Sequence, residues 1–162
     1  MMEENIIKLK KRNTLRFGIK TYDGKDTNNF IEFDLDDIEL PLRLQECEMK
    51  HKKNIDYIKM QFAIIEKQQD RKGKYALSVN EEKKFKVIKE FYKREMEALD
   101  LFLGKDGCKK LLNGSNPYYE MYDDFAEMLA PILPKLKLTA DDMAQKIRDK
   151  YKKMTVESNI LE

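Results

Sequence analysis

The chain has no tryptophan, one histidine, two cysteines, four prolines and six glycines in 162 residues. Each scarcity excludes something. Cys47 and Cys108 match no metal-ligand spacing and make no disulfide framework, so both are expected as free thiols. With His51 as the lone histidine, tetrahedral zinc lacks donors, and a Cys-His nucleophile lacks a legible oxyanion site. The few glycines build no phosphate loop. GKDG at 104–107 puts its lysine directly after the first glycine, and no Ser or Thr follows as G-x-x-x-x-G-K-[ST] requires. No apolar run approaches the ~20 residues that span a bilayer. Met1 to Arg12 carries charges throughout, unlike the apolar centre of a signal peptide. A cytosolic protein with no membrane partner is therefore expected.

What is present is charge. Charged residues make up 38% of the chain and hydrophobic ones 41%, which permits a core but a thin one. The net charge of +2 gives no overall nucleic-acid signature. Its distribution is uneven: six Lys/Arg against two Glu in 1–20, two against nine acids in 21–48, and eight against three in 49–75. Such alternation suits neutralisation within a fold, or matching with another protein or a second copy. Lys8, Lys10, Lys11, Arg12 and Arg16 form a basic arm with Phe17 and Tyr22 nearby, the ingredients of nucleic-acid binding. The acidic segment that follows opposes it.

Periodicity predicts an α+β domain, predominantly helical, over 1–154. Leu15, Phe17 and Ile19 alternate with polar residues, and Phe30, Ile31, Phe33 and Leu35 follow among acids. Asp23-Gly24 lies between, so 13–35 reads as a β-hairpin with an enlarged loop. A helix over 41–69 has the seam Leu44, Cys47, His51, Ile55, Ile58, Phe62 and Ile65. There Cys47 and His51 read as a small thiol and a hydrogen-bonded imidazole. A second helix over 79–103 starts at a Ser78/Glu81 capping box and carries Phe85, Ile88, Tyr92, Met96, Leu99 and Leu103. The two should form an antiparallel pair. Asn116-Pro117 predicts the start of a helix over 117–133, which Pro131 and Pro134 kink or end. Thr139 caps a last helix over 140–153, with the stripe Met143, Ile147, Tyr151 and Met154. Residues 155–162 are expected as a flexible tail. DGKDTN lacks the central glycine and terminal glutamate of a calcium loop, and DLDDIE reads as acids favouring a helix start.

The stretch ALDLFLGKDGCKKLLNG, Ala98 to Gly114, reads as a corner between helices. With NPYYEMYDDFAEMLAPIL after it and LRFGIKTYDGKDTNNFIEFDL before, the chain resembles the tail assembly chaperones of long-tailed phages and prophages of Gram-positive hosts. The likeness is one of pattern and covers about Ser78 to Leu136. It implies a non-catalytic protein of the host cytoplasm, absent from the mature virion. Its partners would be the tape measure protein, the tail tube protein and further copies of itself. It implies no catalytic residue, cofactor or metal. Tyr118, Met121, Tyr122, Phe125 and Met128 form the candidate partner surface, since flexible and amphipathic side chains suit capture of an apolar helix. The competing reading is a small phage-encoded nucleic-acid-associated or host-inhibitor protein that uses the basic arm.

Overall fold

The structure, a computed structural model, describes residues 3–161. Strands β1 (Thr14–Lys20) and β2 (Asp26–Asp34) pair antiparallel, with Phe17 opposite Ile31 and Leu15 opposite Phe33. The expected turn closes them: Gly24 donates to the Thr21 carbonyl at 2.9 Å with φ of +86°. Alternation decides the faces. Ile31 and Phe33 are buried, and Phe17 meets Phe33 edge to face at 6.1 Å. Phe30 points the other way, with the Arg16 guanidinium 3.5 Å over its ring. A two-stranded hairpin is marginal alone, and β2 rests on the helices that follow.

Helix α1 (Leu40–Glu66) starts with Pro41 in its first turn, and α2 (Val79–Leu103) starts at the capping box. Ser78 Oγ accepts from Glu81 N at 3.1 Å, and Ser78 N donates to Glu81 Oε1 at 3.2 Å. The helices run antiparallel: Glu66 meets Lys84 near one end, and His51 meets Glu95 further along. Their connection is tied by two side chains. Asp70 accepts from Ser78 Oγ at 2.7 Å and Asn80 N at 3.0 Å. These bonds hold its carboxyl below the usual range, the Asn80 N–H being the largest cause. Asn80 Nδ2 donates to the Gln68 carbonyl at 2.9 Å and so closes the end of α1.

The Gly104 stretch is a corner. Gly104 ends α2 at φ +91°, where a side chain would be strained. Asp100 reaches across the turn and accepts from Cys108 N at 2.8 Å, satisfying the start of α3 (Gly107–Leu112). Gly107 is needed for space: a Cβ there would lie 2.4 Å from Leu103 Cβ. Gly107→Ala should therefore destabilise by about 1–3 kcal/mol. Urea unfolding checks this, as a lower midpoint at unchanged slope.

Beyond the corner the elements differ from the periodicity. The helix expected over 117–133 is α4, Met121–Leu129 only. Residues 116–120 are not helical, and Glu120 takes a left-handed φ of 69°. Tyr118 instead donates its hydroxyl to Asp124 at 2.7 Å, folding this segment back on α4. Helix α5 runs from Leu133 to Leu161, replacing the expected helix over 140–153. Pro134 occupies its first turn, where a missing N–H costs nothing. Thr139 is no cap: it lies inside α5 and its hydroxyl donates to the Lys135 carbonyl at 2.9 Å. The tail expected at 155–162 is helical to Leu161, because no Gly or Pro interrupts propagation there. Glu162 lies outside the described residues.

One buried cluster joins all these elements. It includes Phe33 from β2, Leu40 from α1, Phe102 from α2, Cys108 from α3, Phe125 from α4 and Leu136 from α5.

A candidate helix-binding groove

Helix α2 is too apolar for one partner. Its face toward α1 and the core holds Phe91, Glu95, Ala98 and Phe102. Phe85, Ile88, Tyr92 and Met96 lie to one side of that face and remain partly or largely open, Phe85 being 58% exposed. They line an open groove of about 1430 Å³. Ile58 and Phe62 of α1 form one wall. Pro117, Tyr118 and Tyr119, from the segment that declines to be helical, form the other. Tyr122 makes the floor, with its ring 5.4 Å from both Phe91 and Tyr92. Its hydroxyl is buried without a hydrogen-bond partner among the described residues. The groove carries Lys86, Lys89 and Lys93 with Glu90 toward one end, and Glu97, Asp100 and Asp106 toward the other, where Lys109 pairs with Asp106 at 3.7 Å.

The structure divides the candidate partner surface. Tyr118 lines the groove and is partly exposed, Tyr122 is half-buried, and Met128 is exposed outside the groove. Met121 and Phe125 are corrections. They are 0% and 2% exposed and members of the core cluster, one turn apart on the same face of α4. They offer no surface to a partner in this state. The larger part of the groove comes from α2: Phe85, Ile88, Tyr92 and Met96, expected as its seam against α1, stand beside that seam, which Phe91, Glu95, Ala98 and Phe102 form instead.

A polar cluster lies behind the groove, between α1 and α2. Glu95 is 2% exposed. His51 Nδ1–H donates to its Oε2 at 2.7 Å and Asn54 Nδ2 to its Oε1 at 2.8 Å. The hydrogen-bonded imidazole is therefore present, but the side chain of His51 is half exposed while Asn54 takes the buried seam position.

The thiols are poor nucleophiles. Burial, then the Glu95 charge, pushes Cys47 up to about 11. Burial followed by Asp100 pushes Cys108 higher still. Iodoacetamide should therefore alkylate both in the native chain at least about a hundredfold more slowly than an ordinary thiol, since the thiolate is the reactive form. Mass counting of adducts checks this, with full labelling in denaturant as the control; rapid labelling of native Cys47 would contradict it.

No His/Cys/Asp/Glu group able to hold a metal occurs among the described residues, and no helix there is long and apolar enough to cross a membrane. Searches of family models, curated proteins and solved structures return no match to this chain.

Proposed function

We propose that this chain is a non-catalytic capture protein for an apolar helix, acting as a phage tail assembly chaperone for the tape measure protein. The observation that carries the reading is the open groove of Phe85, Ile88, Tyr92, Met96 and Tyr119 on α2 and the 116–122 segment. Aromatic and methionine side chains adapt to varied apolar partners, and a groove beside a helix suits an amphipathic or apolar helix. The resemblance of the 78–136 region to tail assembly chaperones supplies the identity of the client. Two features weigh against the basic arm as a nucleic-acid clamp. Arg12 is paired with Asp34 at 2.6 Å, and Arg16 is stacked on Phe30.

The test is co-expression with the tape measure protein of the same tail gene cluster, then co-purification at moderate salt. The client should stay in solution and elute with this chain. Phe85→Glu should abolish recovery while helical circular dichroism is kept. A client that stays insoluble beside folded wild-type chain would end this reading. Nucleic acid carried through purification and lost steeply with salt would point to the arm instead.

A further inference from the structure

Helix α5 outruns the core that it covers. Leu136, Ala140, Met143, Ile147 and Met154 fall on one stripe. Leu136 and Ala140 are buried and Met143 is half-buried, but Ile147 and Met154 are 42% and 50% exposed. The apolar row therefore continues past its own core into solvent. On α2, the Phe85–Met96 row of the groove is apolar and open. The two rows match in length. Met143 to Met154 and Phe85 to Met96 each rise about 16 Å along a helix.

We propose that the distal half of α5 from one copy seats in the α2 groove of a second copy. Charge gives the seat a direction. The distal half of α5 carries exposed Lys146, Arg148, Lys150 and Lys152 against Asp149, while Asp141 and Asp142 precede it. The groove is on balance acidic toward the corner, where Glu97, Asp100 and Asp106 outnumber Lys109, and on balance basic toward the other end, where Lys86, Lys89 and Lys93 outnumber Glu90. The basic end of α5 thus lies toward the corner, and the reverse direction sets lysine against lysine. The seat belongs to another copy because residues 135–154 contain no Gly or Pro at which α5 could turn back into its own groove. Reciprocal seating in a two-fold pair buries two such stripes, which brings a small contact toward the area of a stable interface. A seated α5 and a client helix use the same groove and so compete for it.

Sedimentation of the full chain alone over a range of concentrations tests this. The wild type should associate reversibly. Ile147→Glu and Phe85→Glu should each weaken association by at least about tenfold, since each buries a charge in the apolar seat. Glu97→Lys and Lys150→Glu should each weaken it by about threefold, and the double variant should regain that loss. All four sites are exposed, and circular dichroism verifies folding. A chain that is monomeric at every concentration overturns the proposal, as does association unchanged by both Ile147→Glu and Phe85→Glu. Failure of client co-purification would leave this result standing, because no client is present.

Discussion

Phe125→Ala should remove much of the protein's stability, about 3–5 kcal/mol. A domain of this size holds only about 5–15 kcal/mol in total. Phe125 is 2% exposed and among the largest fully buried side chains. It belongs to the cluster in which Phe102 of α2, Leu112 of α3, Leu129 of α4 and Leu136 of α5 take part. The cavity left by its ring would lie within that cluster, which relaxes around it only in part. The loss appears as a lower urea midpoint by circular dichroism. Met128→Ala, on the exposed side of the same helix, should stay within about 0.5 kcal/mol. The pair separates core from surface on one helix of nine residues. An unchanged midpoint for Phe125→Ala would mean that α4 does not pack as described. Loss of a client in Phe125→Ala would accordingly report unfolding, whereas the same loss in Phe85→Glu would report the groove.

The parts of the fold legible from sequence were those set by local chemistry. The 3–4 spacing marked α1 and α2, Asp23-Gly24 marked the hairpin turn, and Ser78/Glu81 formed the capping box that their spacing implied. What local chemistry leaves open is which way an apolar stripe faces. The Phe85–Met96 stripe and the Met121–Phe125 stripe look alike in a sequence. The first lines a groove and the second fills the core, because α2 meets neighbours on more than one side. The break before Met121 was hidden for a similar reason. Asn116-Pro117 is a sound helix start, yet the Tyr118–Asp124 hydrogen bond and the left-handed Glu120 draw 116–120 out as a groove wall. A polar residue on a seam was the remaining blind spot. Glu95 lies on the buried face of α2, and only its partners on α1, more than forty positions earlier, explain why.

Those partners lead to the other large effect. Glu95→Ala should cost about 3–5 kcal/mol, because it removes a buried carboxylate and strands the Asn54 amide in the α1–α2 interface. Asn54→Ala should also destabilise, by about 1–3 kcal/mol, since it leaves Glu95 Oε1 buried without its donor. The two losses should not add. In the double variant neither group remains to be stranded, so a coupling of about 1–3 kcal/mol is expected from the cycle. Asn54→Leu with Glu95→Met goes further, exchanging the polar contact for apolar packing of similar volume, and should restore stability to near the wild-type level or above it. That result would assign the cluster to pairing specificity, holding α1 and α2 in one register through His51, Asn54 and Glu95, rather than to net stability. The register matters for the groove, since Ile58 and Phe62 of α1 wall it only while they stand beside Phe85 and Ile88. Denaturant unfolding of the four variants gives the energies, and fluorescence of an apolar dye reports whether the repacked pair still holds one arrangement. Additive losses in the cycle would show that Asn54 and Glu95 act independently, and the register argument would fail with them.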